Sequence, residues 1–378
     1  MEQPIVIIGS GFAAYQLVKA IRRQNQQLPI TVITADEGHD YNKPDLSHVF
    51  SKQQKVQDLI TLPSQIFAEQ HQVNLFPFHQ VTQIDVENNQ VVANEKVFPY
   101  SKLVLATGAN VFIPPMQGDA TNDVVTLNSL AEFASCHSKV SEAERVLVLG
   151  GGLIGVEVAL DLANAGKQVV LVEPAEQLMA NLLPATVAHQ LTKTLSKHRI
   201  EVITREFVEA ISREEHGICA QLSNGSLVRV DQVLVCAGLR ANTQLAKLAG
   251  LEVNYGICVD DNMQTSAENV YALGDCAEFR GEIRAFLQPT LISANALAKT
   301  LCGQVTAVTL PNMMVKVKTP NYPIQLGGIT HDARVARWLL DIHDSGIVAK
   351  ALDEEEKLIG FVVTDQQVNQ AFSLFRQL

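Results

Sequence analysis

Two stretches of the chain share one pattern: a short apolar run, a glycine-rich turn, then apolar residues at helical spacing. The first runs from Ile5–Ile8 through Gly9-Ser10-Gly11-Phe12-Ala13-Ala14. It continues into a helix predicted over Ala13–Gln24, with a basic exposed end at Lys19, Arg22 and Arg23. The second runs from Val146–Leu149 through Gly150-Gly151-Gly152-Leu153-Ile154-Gly155. Each leads to another apolar strand that ends in an acid. These are Ile30–Ala35 before Asp36 and Glu37, and Val169–Val172 before Glu173.

Residues 65–112 are predicted to hold a helical piece and several short strands. They close in Leu103-Val104-Leu105-Ala106-Thr107-Gly108. The second copy closes likewise, in Val233-Leu234-Val235-Cys236-Ala237-Gly238-Leu239-Arg240. A buried strand running into Thr-Gly or Ala-Gly brings backbone close to a ligand. A whole nucleotide-binding domain is thus repeated, with Pro114-Pro115 as the predicted crossover. A further apolar strand, Val270–Leu273, ends at Gly274-Asp275, which sets one carboxylate at the turn, ready to bind a hydroxyl. Beyond residue 310 the pattern predicts strands at Met314–Val317, Ile347–Ala351 and Ile359–Val363, then a helix over Asp365–Arg376. That segment has no phosphate-binding loop and reads as a structural or interface domain.

The chemistry follows from the turns. In a Gly-x-Gly-x-x-Gly fingerprint the first glycine makes the tight turn and the second lets backbone approach a pyrophosphate. The third position must be small so that helix and strand pack closely. Ala14 meets that need in the first copy and Gly155 in the second. The pyrophosphate sits on the helix N-terminus, where unpaired N–H groups and the helix dipole favour negative charge. The acid roughly 20 residues further on accepts the ribose hydroxyls; here these are Asp36 and Glu173. After Glu173 come Pro174, Ala175 and Glu176, with no Arg or Lys. A 2′-phosphate would meet carboxylates there, so the second site is expected to take NADH rather than NADPH.

Composition changes this picture little. The 378 residues suffice for two or three domains. The net charge of −11 argues against nucleic acid as a partner. The first residues enter a core strand directly, with no signal-peptide pattern. Glu157, Asp161 and Lys167 interrupt the apolar stretch at 146–172, so no membrane span is expected. A cytoplasmic protein is the expectation. The cysteines, Cys136, Cys219, Cys236, Cys258, Cys276 and Cys302, form no CxxC pair. Neither they nor the ten histidines suggest a metal site.

The assembled pattern over residues 4–300 resembles the two-dinucleotide flavoprotein reductases. The resemblance implies an α/β fold with two Rossmann-like domains, one for FAD and one for NAD, and a C-terminal α+β interface domain. It places FAD in residues 1–112 and 246–309, NADH in 113–245, and the interface domain in 310–378. FAD would then be held by Gly9, Gly11, Phe12, Ala13, Ala14, Asp36, Lys43, Pro44, Ala106, Thr107, Gly108, Gly274, Asp275, Gln288 and Pro289. NADH would be held by Gly150, Gly152, Leu153, Ile154, Gly155, Glu157, Glu173, Ala237 and Gly238. Disulfide reductases and NADH peroxidases of this type carry cysteine after the FAD adenosine-binding strand. Here Tyr41-Asn42-Lys43-Pro44-Asp45-Leu46-Ser47 has none, so the thiolate relay is absent. The Lys-Pro-x-Leu-Ser string, Phe286-Leu287-Gln288-Pro289 and Val315–Pro320 look instead like the branch that serves rubredoxins, flavorubredoxins and ferredoxins.

What the resemblance implies is hydride transfer from NADH to FAD, then single-electron transfer to the rubredoxin-type iron of a flavorubredoxin, in support of nitric oxide reduction. It also implies that Lys43 pairs with Glu157 beside the flavin as the catalytic pair. A monomer or weak homodimer is expected. Arg240, in a Gly-x-Arg-x-Asn string, reads equally as a structural ion pair or a cofactor contact. Lys316, Lys318, Arg280 and Arg284 are candidates for a basic docking patch. A rubredoxin or ferredoxin reductase of another chain, an NADH oxidase or peroxidase, and an NADH-sensing flavoprotein are the other readings.

Overall fold

A computed structural model describes residues 3–320 and 322–378. The predicted direct entry of Met1 and Glu2 into the first strand lies outside the described residues. The chain forms two compact units. The first comprises Met1–Lys43, Val56–Asn110 and Leu239–Pro311; the second comprises Pro44–Lys55, Val111–Gly238 and Asn312–Leu378.

The first unit is built on a five-stranded parallel sheet. Its order is Val270–Ala272, Lys102–Leu105, Ile5–Ile8, Ile30–Ile33 and Asn74–Phe76. Ile5–Ile8 and Ile30–Ile33 are buried along their whole length, as apolar runs in a parallel sheet covered on both faces must be. The helix after the first fingerprint spans Phe12–Gln24 and buries Ala14, Tyr15, Leu17, Val18, Ala20 and Ile21. Tyr15 stacks on Phe67 with ring centroids 3.8 Å apart. The predicted exposed basic end of this helix is largely engaged. Lys19 pairs with Asp40 at 2.7 Å, and Arg22 donates to the carbonyls of His71, Leu28 and Gln72. Arg22 acts as a cap for neighbouring chain ends, and Arg23, which is exposed, donates to Asn295 Oδ1 at 2.8 Å.

The second unit repeats the plan. Its parallel sheet runs Val125–Thr126, Gln232–Val235, Arg145–Leu149, Gln168–Glu173 and Ile200–Thr204. A three-stranded antiparallel sheet, Val208–Glu214, Gly217–Leu222 and Leu227–Val230, shares its core. The C-terminal residues of this unit form a five-stranded antiparallel sheet. Its order is Met314–Val317, Ile324–Gly328, Leu358–Thr364, Gly346–Leu352 and Arg337–His343. Three of these strands lie where the pattern predicted them. Ile324–Gly328 and Arg337–His343 were not predicted.

The single C-terminal helix expected over Asp365–Arg376 is a correction. A 3₁₀ turn over Asp365–Gln370 is followed by a short α-helix, Ala371–Phe375. Asp365 has φ +52° and donates its N–H to Pro323, which turns the chain sharply off the preceding strand. None of residues 365–370 is buried, so no apolar stripe holds them in a longer helix.

Candidate functional site

Each unit carries a cradle at the C-terminal edge of its parallel sheet, where an open α/β sheet binds ligands. In the first, Gly9 has φ +109°, and a Cβ there would lie 2.3 Å from the Ala106 carbonyl oxygen. Only glycine fits that turn. Gly11 is the N-cap of the Phe12–Gln24 helix and no side chain caps it. A Cβ on Gly11 would meet nothing within 4 Å. The first-turn N–H groups therefore border open space of the kind a pyrophosphate fills.

Asp36 stands beside this turn. One of its oxygens accepts from Ser10 Oγ at 2.8 Å, Thr34 Oγ1 at 2.6 Å and Gly38 N–H at 3.2 Å. Gly274, at φ +80°, packs so closely on Ala13 that an added Cβ would come within 2.6 Å of the Ala13 Cβ. That contact sets Asp275 next to the helix start. Lys43 Nζ lies 3.7 Å from Asp275 Oδ2. Thr107 Oγ1 donates to the Asn242 carbonyl at 2.9 Å, and the Asn242 amide returns a bond to the Thr107 carbonyl at 2.8 Å. Asn242 N–H also bonds the Gly108 carbonyl at 2.9 Å. The asparagine of the Gly-x-Arg-x-Asn string thus stitches the Thr-Gly loop, a role its spacing alone did not reveal. Arg240 is exposed in the adjoining strand Leu239–Ala241. Gln288 and Pro289 sit in the first turn of the Leu287–Leu301 helix, Gln288 exposed and Pro289 buried.

The second cradle repeats this geometry. Gly150 has φ +106°, and a Cβ there would lie 2.5 Å from the Cys236 carbonyl oxygen. Gly152 is the uncapped N-cap of the Leu153–Asn164 helix, again with open space before it. A Cβ on Gly155 would lie 1.8 Å from the Gly150 carbonyl oxygen, so the third glycine is a packing requirement. Gly151 is constrained as well, since its Cβ would press on Leu178 and Glu173. Glu173 closes the loop with both oxygens, accepting from Gly151 N–H at 2.6 Å and Ala175 N–H at 2.8 Å. Ala237 and Gly238, the latter at φ +101°, follow the closing strand, and Ile154 is exposed at the helix start. The residues of both cradles fit a dinucleotide: uncapped helix starts, open space at the second glycine, and an acid fixed alongside.

Glu157, which the resemblance paired with Lys43, is only 4 % exposed. It accepts from Ser47 Oγ at 2.9 Å and from Lys318 N–H at 2.8 Å. One turn on, Asp161, 2 % exposed, accepts from Phe50 N–H at 2.8 Å and Ser51 N–H at 3.2 Å, and from Ser51 Oγ. These two buried carboxylates are satisfied by the 44–55 segment and the Lys318 backbone, as buried charges must be. Pro44 belongs to that segment, and its carbonyl accepts from Lys318 Nζ.

Of the proposed basic patch, Arg280 is paired with Asp261 at 2.9 Å and Arg284 with Glu282 at 2.7 Å. Lys318 is engaged with Pro44, and Lys316 is exposed. Local pairing leaves the patch weaker than its four residues suggest. Cys276, beside the Gly-Asp turn, is buried and directs its thiol at the Leu105 carbonyl, 3.3 Å away. Burial raises that thiol above its ordinary pKa and pushes Cys136 and Cys236 to about 12. None of the three is a thiolate nucleophile. Among the described residues no group of three or more His, Cys, Asp or Glu could hold a metal ion. No helix among them is long and apolar enough to cross a membrane.

Residues 3–296 match the pyridine nucleotide-disulphide oxidoreductase family, and residues 307–378 match the rubredoxin-binding C-terminal domain. Over 378 residues the chain is 55% identical to the nitric oxide reductase FlRd-NAD(+) reductase of Aliivibrio fischeri, covering 100% of this chain and 99% of that one. It is 43% identical to the protein of the same name in Escherichia coli O81, with 100% of both chains covered. Among solved structures, a ferredoxin reductase from Rhodopseudomonas palustris superposes with TM-score 0.89 at 24% identity, over 98% of this chain and 93% of that one. Putidaredoxin reductase, in covalent complex with putidaredoxin, superposes with TM-score 0.88 at 22% identity, over 100% and 94%. These two likenesses concern the fold alone.

Proposed function

Because the chain belongs to the pyridine nucleotide-disulphide oxidoreductase family, we propose that it is an FAD-containing, NADH-dependent reductase. Its acceptor is the rubredoxin centre of a flavorubredoxin, in support of nitric oxide reduction. The observation that carries this reading is the repeated cradle in a chain with no cysteine at residues 41–47. Bound FAD supplies two-electron uptake from NADH and one-electron release to iron.

The chain's own residues bind and orient. Gly9 and Gly11 admit the FAD pyrophosphate to the first helix start, and Asp36 takes the ribose. Gly150, Gly152 and Glu173 do the same for NADH. Lys43, paired with Asp275, supplies a cation next to the Gly-Asp turn, and Thr107 and Gly108 present backbone to the cofactor. Glu157 and Asp161 fix the 44–55 segment. The rubredoxin-binding domain at 307–378 supports an iron protein as acceptor. The unbridged cysteines suit a reducing, cytoplasmic setting.

The test is NADH-driven reduction of rubredoxin, flavorubredoxin and ferredoxin by the FAD-loaded protein, followed by the acceptors' visible absorption. Fastest turnover with flavorubredoxin is expected. Preference for a ferredoxin, or rapid NADH oxidation by oxygen with no iron acceptor, would replace this reading.

A further inference from the structure

Sequence places no cation near Glu173, but the fold brings one there. Arg205 follows the edge strand Ile200–Thr204. Its backbone N–H donates to the Ala175 carbonyl at 2.9 Å, and the next N–H, that of Glu206, reaches the Glu173 carbonyl at 3.4 Å. Arg205 is thereby stitched to the segment that carries the ribose-binding acid. It takes a left-handed backbone, φ +63°, which an L side chain seldom adopts. Its guanidinium is 68% exposed and pairs with Glu176, itself 73% exposed. Glu176 lies three residues past Glu173, on the same rim.

An arginine close to the end of this strand is the usual device for accepting a 2′-phosphate. Here the device is present and occupied. We propose that Glu176 is a specificity-determining residue: it holds Arg205 in an ion pair and so keeps a latent 2′-phosphate site closed to NADPH. This rests on the reading of Gly150–Gly155 as the NADH site. Two carboxylates then exclude NADPH by different means. Glu173 is fixed by two backbone N–H groups and faces the 2′-position with negative charge. Glu176 removes the cation that could offset that charge. An exposed ion pair is weakly held and salt-screened, so Arg205 is available once its partner is gone.

The test compares wild type, Glu176→Gln and the double variant Glu176→Gln/Arg205→Ala, all FAD-loaded. Steady-state kcat/KM is measured for NADH and NADPH with ferricyanide as acceptor. Flavin absorbance and circular dichroism confirm that each variant is folded. The Glu176→Gln variant should raise kcat/KM for NADPH about fivefold relative to NADH, the most that releasing one exposed ion pair supplies. The double variant should lose that gain, and added salt should shrink it. An unchanged preference in Glu176→Gln, or a gain that survives loss of Arg205, overturns the proposal. Wild-type protein that oxidised neither nucleotide would instead overturn the functional reading beneath it.

Discussion

The two cradles share a plan and differ in how each holds its acid. In the first, Asp36 is gripped through one oxygen by two hydroxyls and one backbone N–H. In the second, Glu173 spends both oxygens on backbone N–H groups, one from the glycine-rich turn and one from its own loop. The third fingerprint position differs too. Ala14 is fully buried with its methyl accommodated, whereas Gly155 lies against the Gly150 carbonyl with no room for a Cβ. The first cradle thus fixes its acid partly through side-chain hydroxyls. The second fixes its acid through backbone N–H groups alone.

The largest effect that would sharpen this contrast is Gly155→Val. A Cβ 1.8 Å from a carbonyl oxygen cannot be absorbed locally, so we expect a loss of about 3 kcal/mol or more in urea unfolding. The matching change in the first copy, Ala14→Gly, should cost only about 1 kcal/mol. Equal losses would erase the difference drawn between the two cradles. Next come Gly11→Ala and Gly152→Ala, both of which place a methyl in open space. Neither should shift the thermal midpoint much. Gly11→Ala should weaken FAD retention, and Gly152→Ala should lower kcat/KM for NADH while FAD stays bound, each by roughly 100-fold. A variant that lost both ligands would contradict the assignment of one ligand to each cradle.

Glu173→Ala removes the acceptor of two loop N–H groups. We expect it to weaken NADH binding and to cost about 2 kcal/mol of stability. Unfolding curves and KM for NADH check both. The smallest expected effect concerns His48 in the 44–55 segment. Burial, then the nearby Lys318, lowers its pKa below 6.5 against the opposing pull of Glu157 and Asp161. Above pH 6.5 the imidazole is neutral in both folded and unfolded chains, so stability is intact. As pH falls through 6.5, the unfolded chain takes a proton that the fold resists, and stability is lost. Urea midpoints on either side of that pH should show the decline, and His48→Gln should flatten it.

The pattern of apolar runs located the central parallel strands almost to the residue because these are buried on both faces. Ile5–Ile8 matches its predicted span, and the predicted Val146–Leu149 run falls within Arg145–Leu149. The cradles were legible for a related reason: glycine at a fixed turn leaves no alternative residue. Arg337–His343 was not legible, since most of it is exposed and its apolar alternation is broken by Asp341 and His343. Ile324–Gly328 was hidden by its two closing glycines, which fit beneath Phe361 and against the Ile359 carbonyl. Longer-range partnerships were invisible by nature. Nothing near Glu157 or Asp161 in sequence announces Ser47, Ser51 or Lys318, and nothing near Glu173 announces Arg205. Local pattern reports what each residue does within its own element, whereas these contacts depend on how distant elements meet.

The route we propose takes electrons from NADH at the second cradle and passes them from FAD to a rubredoxin-type iron without a thiol relay. Its most direct test is anaerobic stopped-flow mixing of the FAD-loaded protein and flavorubredoxin with NADH, after all six cysteines have been blocked by alkylation under mild denaturant and the protein refolded with FAD. On this route the flavin bleaches first, iron reduction follows at the rate of the unmodified, identically refolded protein, and NADPH is a poor donor. Iron reduction abolished by alkylation in a protein whose flavin NADH still bleaches would contradict it.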